Sequence, residues 1–301
     1  MSAPEVRGLF VGLATLDVVH RVAARPGPDE KVVATRTDVA AGGPAAVAAA
    51  TFAALGGMAT LVTAIGRGPI GRALTHDLDA CGVVVVDLAV QEEAAAPSSA
   101  VVVEHTGERS VVSSAASAPA PRPLPPEEAD RMVAAADVVL LDGHHPALAL
   151  PVVSAAGRHA VPVVLDGGSH KPLVDELLPL VGAAVFSGTF RFPGGGAPDG
   201  ATTALGPAFV AVTQGARPVR WWTADGAGDV PVPAVDVVDT LGAGDAFHGA
   251  FAYATACGAG PIDAVRTAIA VAGVRVSHLG PRGWLTDPRL KHIAAGAGRR
   301  S

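Results

Sequence analysis

The sequence predicts a doubly wound α/β fold with a mostly parallel central sheet and a small additional β-sheet. Short runs rich in β-branched residues alternate with alanine-rich helical stretches along most of the 301 residues. The apolar runs are bounded by turn residues, which is typical of strands that are buried on both faces and joined by helices. Two strand-like stretches lack a following helix and predict the additional sheet.

The predicted elements of the core follow one another in regular order. We predict central strands at residues 9–13, 60–65, 83–88, 138–141, 162–166, 184–186 and 209–213. We predict helices at residues 45–55, 70–81, 127–135, 148–159, 172–180, 245–256 and 262–277. This pattern indicates one domain over residues 1–301.

The two unpaired stretches lie at residues 31–38 and 99–114. The second reads as a hairpin that turns at Thr106, Gly107 and Glu108. Strands without a following helix do not belong in a doubly wound core, so we predict a separate sheet that covers one end of the domain. A plain edge hairpin is the alternative. Residues 192–201, with Pro193 and three consecutive glycines, are predicted to form a surface loop.

Composition excludes several classes of function. Half of the residues are apolar, 17% are charged, and the net charge is −6. Binding to nucleic acid requires a positive surface, and basic residues do not cluster before the closing Arg299 and Arg300. No apolar run is long enough to cross a membrane. With Cys81 and Cys257 far apart in sequence, we predict a cytoplasmic protein with reduced thiols.

The most informative segment reads Asp-Thr-Leu-Gly-Ala-Gly-Asp at positions 239–245. Phe247, Ala250 and Phe251 recur at helical spacing, so a helix is predicted to begin near Asp245. Small residues ahead of a helix allow its free N–H groups to approach a ligand closely. Those donors and the positive end of the helix dipole bind anions such as phosphate.

Asp245 is the candidate catalytic base of this segment. Phosphoryl transfer builds charge on the migrating group and requires an acceptor for the proton of the attacking hydroxyl. A helix N-terminus lowers the pKa of a nearby carboxyl group, so we expect Asp245 to be ionised at neutral pH.

The full string, followed by Phe247 and a helix of small residues, resembles the signature of the PfkB/ribokinase family of carbohydrate kinases. The resemblance implies a ribokinase-like fold, ATP and Mg²⁺ as cofactors, and a sugar as acceptor. It implies that Gly242, Ala243 and Gly244 form the anion hole with Asp245. It also implies that Asp239 helps to bind a monovalent cation, K⁺.

The resemblance extends to the sugar side of the site. Gly-Leu-Ala-Thr-Leu-Asp at positions 12–17 resembles the family's first strand, whose final aspartate binds sugar hydroxyls, so Asp17 takes that role. Gly42 and Gly43 resemble the glycine pair that opens a helix against the sugar. The family branches that the sequence resembles most are ketohexokinase and sulfofructose kinase. Arg109 resembles a lid residue of ketohexokinases that reaches the sugar, and Lys31 stands where sulfofructose kinases have an anion-binding lysine. The alternative is that Arg109 and Lys31 are solvated charges on the lid.

The nucleotide side and the lid also resemble the family. Val-Thr-Gln-Gly at positions 212–215 resembles the strand-to-turn element along the nucleotide phosphates. The residues that resemble nucleotide contacts are Thr213, Gly215, Ala272, Gly273, Val276 and Gly280. Segments 31–38 and 99–114 resemble the family's β-lid, which closes over the sugar and pairs two subunits. A homodimer is therefore predicted.

Several positions depart from the family pattern. Pro44 and Val47 stand where ribokinases carry asparagines, which disfavours D-ribose because a pocket without amides discriminates less by polar contact. Ser113 and His144 replace groups that hold the sulfonate in sulfofructose kinases; His144 is a candidate sugar contact or a polar loop histidine. Ser-Gly-Thr-Phe at positions 187–190 replaces an Asn-x-x-Glu motif that organises water around Mg²⁺.

The predicted activity is ATP-dependent phosphorylation of a keto-sugar or related small polyol. Two alternatives stay open: a non-catalytic sugar- or nucleotide-binding protein, and a nucleoside kinase. A nicotinamide-dependent oxidoreductase requires Gly-x-Gly-x-x-Gly after the first strand. The chain has Ala-Thr-Leu-Asp at positions 14–17 instead, which disfavours that class.

Overall fold

The computed structural model describes residues 5–90, 96–115 and 119–297; Arg299 and Arg300 lie outside these ranges. Its strands, in chain order, are β1 (Arg7–Val11), β2 (Thr15–Val22), β3 (Arg36–Gly42), β4 (Met58–Thr63), β5 (Val83–Asp87), β6 (Ser98–Glu104), β7 (Arg109–Ser113), β8 (Val138–Leu141), β9 (Val163–Gly167), β10 (Ala183–Ser187), β11 (Phe209–Gln214), β12 (Arg217–Thr223) and β13 (Gly226–Val230).

The α-helices of the same ranges are α1 (Pro44–Ala54), α2 (Pro69–Ala80), α3 (Pro126–Ala134), α4 (Pro146–His159), α5 (Pro172–Leu177), α6 (Ala243–Ala256), α7 (Pro261–Val276) and α8 (Pro288–Gly296). Most begin at a proline in the first turn, where the missing N–H costs nothing and the fixed φ suits a helix. None of these described helices has the length and apolarity that crossing a membrane demands.

The central sheet has nine strands in the order β13-β12-β11-β10-β9-β8-β1-β4-β5. Strands β5 through β11 of that order are parallel, and β12 and β13 extend the edge as antiparallel strands. Alternate residues of β1 face opposite layers: Phe10 packs with α1 and α6, whereas Leu9 and Val11 pack with the layer of α3 and α4. The predicted α/β fold with helices on both faces is confirmed.

The additional sheet has four strands in the order β3-β2-β6-β7, and we call it the lid. The predicted hairpin is formed by β6 and β7, with Val101 opposite Val111 and Gly107 at a φ of 86° in the turn. The predicted strand at 31–38 was misplaced, because β3 begins at Arg36 and residues 31–35 are irregular.

Strand β2, to which Asp17 belongs, was not predicted from the sequence. The first core strand ends at Val11, and the chain then turns into the lid, so Asp17 is not on the core strand. Polar residues such as His20 and Arg21 interrupt the apolar pattern of β2, which left no strand signal. The hairpin of β12 and β13 and the terminal helix α8 were also missed.

Candidate active site

Polar side chains gather at one edge of the central sheet, where the parallel strands end. Asp142 directly follows β8, Asp166 lies near the end of β9, Ser187 ends β10, and Thr213 lies near the end of β11. Ser187 and Thr213 are register partners in the sheet. The carboxyl ends of the strands are the edge at which open α/β sheets bind ligands.

Helix α6 points its N-terminus at this edge. Its N-cap is Gly242, at a φ of 71°, and no side chain caps the helix. The N–H groups of Gly244 and Asp245 lie in the first turn and have no intrahelical acceptor, whereas the N–H of Ala243 donates to the carbonyl oxygen of Thr240 at 3.3 Å. The helix end therefore offers free donors to an anion, as the sequence predicted.

Asp17 and Asp245 line one pocket, together with Gly42, Gly43 and Arg282. This places the predicted sugar-binding aspartate and the predicted base at the same cavity, although they are 228 residues apart in the chain. The two glycines make the close approach possible. A Cβ at Gly42 would overlap the carboxylate of Asp17, and a Cβ at Gly43, whose φ is 91°, would approach the carbonyl oxygen of Leu13 to 2.5 Å.

The carboxylate of Asp17 accepts a hydrogen bond from Thr15 Oγ1 at 2.7 Å. Burial raises the pKa of Asp17, and the hydroxyl groups of Thr15 and Ser99 and the charge of Arg282 oppose that rise. Two lid strands, β2 and β6, thus supply the groups that orient Asp17.

The expectation that the helix end keeps the pKa of Asp245 low was wrong. Burial, together with the neighbouring Asp166, Asp17 and Asp142 carboxylates, raises the pKa of Asp245 to about 7, while His248 opposes the rise. Loss of solvation and repulsion between carboxylates outweigh the helix dipole, which is worth at most about 2 kcal/mol.

Asp142 organises the floor of this edge and was not predicted. Its carboxylate accepts hydrogen bonds from the backbone N–H of Leu13 at 2.8 Å and of Ala45 at 3.3 Å, and from both the N–H and the ring of His144 at 3.0 Å. Burial alone would raise the pKa of Asp142, yet His144 and the Leu13 N–H lower it to about 2. His144, predicted as a sugar contact, is therefore held by Asp142.

Asp239 is surrounded by donors. Its Oδ2 accepts from Arg21 at 2.6 Å, from Arg275 at 3.2 Å and from the N–H of Gly280 at 3.1 Å, and its Oδ1 accepts from the N–H of Leu241 at 3.0 Å. Burial opposes ionisation, but these donors and the two guanidinium charges lower the pKa of Asp239. In the described part of the chain, Arg21 and Arg275 therefore occupy the carboxylate of Asp239, which the family resemblance had assigned to a monovalent cation.

The two predicted lid cations differ in placement. Lys31 is exposed in the irregular segment before β3, not on a lid strand. Arg109 begins β7, and its Nη1 donates to Thr240 Oγ1 at 3.3 Å, just ahead of the helix end. Beneath the lid, Leu241 packs against the buried valines at positions 19, 101 and 103. The lid is thereby connected to the loop that precedes α6.

The residues predicted to contact the nucleotide lie in three places. Thr213 donates to the carbonyl oxygen of Phe186 at 3.3 Å, and Gly215 forms the turn after β11 at a φ of 65°. Ala272, Gly273 and Val276 lie on α7, where Val276 accepts backbone hydrogen bonds from Val238 and Asp239 at 2.7 and 3.1 Å. Gly280, by contrast, faces Arg36 and Asp38 of lid strand β3.

The residues at this edge match a site for the phosphates of a nucleoside triphosphate, but they do not reproduce the family's Mg²⁺ motif. Uncapped N–H groups and small residues at the start of α6 match a phosphate. At 187–190, Ser187 Oγ is hydrogen-bonded to Thr189 Oγ1 at 2.9 Å and Phe190 is buried, so that segment offers no carboxylate. Within the described ranges, Asp166, Asp245 and His248 place their ligand atoms close enough together to hold a cation.

Three arginines contact the site, and none of them was among the predicted site residues. Arg282 lines the pocket and pairs with Asp77, and its Nη2 donates to the carbonyl oxygen of Ala41 at 2.6 Å. Arg21 and Arg275 pair with Asp239. Only Arg275 carried a signal, because it is a charged residue among the apolar residues of a predicted helix.

Comparison with known proteins agrees with the fold described above, over nearly the whole chain. Residues 8–188 and 194–287 match the model of the family described as pfkB family carbohydrate kinase. The chain is 28% identical to the ribokinase of Bacillus subtilis over 281 residues, covering 91% of this chain and 94% of that protein. It is 29% identical over 280 residues to the ATP-dependent ribose-1-phosphate kinase of Halopiger xanaduensis, covering 84% and 91%.

Solved structures have the same fold. The structure of Arabidopsis thaliana ribokinase complexed with ribose and ATP superposes with a TM-score of 0.78 at 25% identity, over 100% of both chains. The fold is therefore ribokinase-like, and its site belongs to a sugar kinase. The chain belongs to the pfkB family of carbohydrate kinases.

Proposed function

We propose that this protein transfers the terminal phosphoryl group of MgATP to a hydroxyl group of a keto-sugar or a related small polyol, giving a sugar phosphate and ADP. The observation that carries the proposal is the shared pocket of Asp17 and Asp245 at the uncapped end of α6. A protein that only binds a sugar has no need of a carboxylate beside an anion site.

Each group has one task in the proposed reaction. Asp17, oriented by Thr15, accepts hydrogen bonds from sugar hydroxyls. Asp245 accepts the proton of the attacking hydroxyl, and a pKa near neutrality suits a general base. The N–H groups of Gly244 and Asp245 stabilise the charge on the transferred phosphoryl group. ATP supplies that group, and Mg²⁺ neutralises its phosphates.

The preference for a keto-sugar rests on the pocket wall and on the family resemblance. Val47 lines the pocket and Pro44 begins α1, so neither position offers an amide to a hydroxyl. Relatives named as ribokinase and as ribose-1-phosphate kinase act on the substrates that their names state. A pocket without those amides discriminates less by polar contact, which is the reason to test ketoses beside ribose.

The test is ADP release across a panel of D-fructose, D-tagatose, D-ribose and adenosine, with wild type and Asp245→Asn. We expect a ketose to give the highest kcat/KM, and Asp245→Asn to lower kcat by about 10²- to 10⁴-fold. Asp225→Asn, in the exposed turn between β12 and β13, is the matched control and should retain activity.

Other outcomes would replace the proposal. A thermal shift by a sugar without ADP release from wild type would identify a binding protein. Preference for adenosine would identify a nucleoside kinase, and preference for D-ribose would remove the keto-sugar assignment.

A further inference from the structure

Two buried polar atoms behind Asp245 have no hydrogen-bond partner in the described chain: Asp166 Oδ2 and His248 Nδ1. They lie 3.1 Å apart, and their side chains are only 2% and 4% exposed. Buried polar atoms are nearly always paired, and these two can pair with each other only where one of them carries a proton. A cation can take the place of that proton.

The other ring nitrogen of His248 shows which kind of ligand fits. Its Nε2 lies 3.0 Å from the carbonyl oxygen of Val185, which can only accept. Nε2 therefore carries the hydrogen, and in the neutral ring Nδ1 presents a lone pair. Histidines that bind metals are held in this way, with one nitrogen donating to a carbonyl or carboxylate oxygen and the other on the metal.

The spacing also suits a cation. Two ligand atoms about 2.0–2.2 Å from one metal, at angles between octahedral and tetrahedral values, lie roughly 3.0–3.5 Å apart. Asp166 Oδ2 and His248 Nδ1 meet that condition. A carboxylate oxygen of Asp245 lies within 4.8 Å of both, and it faces the pocket, which provides an entry path.

We propose that Asp166, Asp245 and His248 form a binding site for a divalent first-row transition-metal ion, such as Mn²⁺ or Zn²⁺. The imidazole ligand favours these ions over Mg²⁺, which takes oxygen ligands and keeps its waters. The inference goes beyond the proposed kinase activity: an ion here takes up the lone pair that Asp245 offers as a base, and so competes with phosphoryl transfer to the sugar.

The experiment uses the full chain, treated with EDTA and free of nucleotide and sugar, titrated with Mn²⁺ and followed by electron paramagnetic resonance. We expect one bound ion per chain and a pulsed-resonance coupling to one imidazole nitrogen. His248→Asn should remove that coupling, and both His248→Asn and Asp166→Asn should weaken binding about tenfold or more. Using both variants keeps the test decisive if one of them fails to fold, which circular dichroism would show.

His144→Gln is the matched control, because His144 is also a histidine that contacts a buried aspartate, Asp142. It should retain both Mn²⁺ binding and the nitrogen coupling. The site is overturned if wild type binds no stoichiometric Mn²⁺, if His248→Asn retains the coupling, or if His144→Gln removes it. Binding is measured without substrates, so a failure of the kinase proposal and a failure of this site are separate results.

Discussion

The guanidinium group of Arg275 donates to the carboxylate of Asp239 at 3.2 Å, and both side chains are almost fully buried. Its Nη1 also donates to the carbonyl oxygens of Asp239 and His278, at 3.4 and 3.1 Å. A fixed positive charge is thereby coordinated by the carboxylate and the backbone oxygens just ahead of the anion hole.

This arrangement predicts phosphoryl transfer that is independent of K⁺, in place of the K⁺ dependence expected from resemblance. Arg275 and Arg21 already neutralise Asp239, so an added cation gains no free carboxylate. ADP release should be equal in K⁺, Na⁺ and tetramethylammonium chloride at constant ionic strength. A rate that rises only with K⁺ would reveal a cation site elsewhere.

Removing Arg275 should destabilise the fold. Arg275→Met leaves Asp239 buried with one guanidinium fewer, and breaking such a pair costs about 3 kcal/mol of unfolding free energy. Urea unfolding measures the change. Arg266→Met, on the exposed face of the same helix, is the control and should cost less than about 1 kcal/mol. Equal losses in the two variants would contradict a structural role for the buried pair.

Gly42 is predicted to set the position of Asp17. In Gly42→Ala the new Cβ displaces the Asp17 carboxylate, and misplacement of a substrate-orienting group costs about 10- to 100-fold in kcat/KM for the sugar. The KM for ATP should change little. Gly157→Ala, on α4 with open space around its Cβ position, is the control and should match wild type. An unchanged sugar kcat/KM in Gly42→Ala would remove Asp17 from the site.

The low pKa of Asp142 predicts that the folded protein loses stability in acid. Its pKa is about 2 in the folded protein and about 3.9 when unfolded, so its stabilisation is complete above about pH 4 and is lost as the pH falls toward 2. That stabilisation is roughly 2 kcal/mol. His144→Gln removes the partner that lowers this pKa, so its deficit in unfolding free energy should be larger at pH 6 than at pH 3.

The control for this comparison is His292→Gln, an exposed histidine of α8. It should show no deficit that changes with pH between those values. A deficit in His144→Gln that is the same at pH 3 and pH 6 would argue that packing, not the charge of Asp142, is responsible.

The outer face of the lid predicts a homodimer. Val39, Val18, Ala100 and Val112 are register neighbours across all four lid strands, and Val39 and Val112 are 57% and 74% exposed. An apolar row with open strand edges requires a partner. Light scattering should give twice the monomer mass for wild type and the monomer mass for Val112→Asp. A monomeric wild type would exclude dimerisation through the lid.

The sequence predicted what depends on local pattern. Alternating apolar runs and helices predicted the α/β fold, and the string at 239–245 predicted the helix end and its base. It failed where pairing partners are distant. Strand β2 carries apolar residues on both faces of the lid, with Val19 toward Leu241, and polar residues between them, so its own pattern looked irregular. Asp166 and His248, 82 residues apart, gave no joint signal.

By itself, then, the amino-acid order determined the class of fold and the position of the uncapped end of α6, because periodicity and glycine placement act over a few residues. Only the tertiary structure decided the charge state of the site. Whether Asp245 has a high pKa, and whether Asp239 has a free lone pair, depends on carboxylates and guanidinium groups brought together from distant segments in a poorly solvated interior.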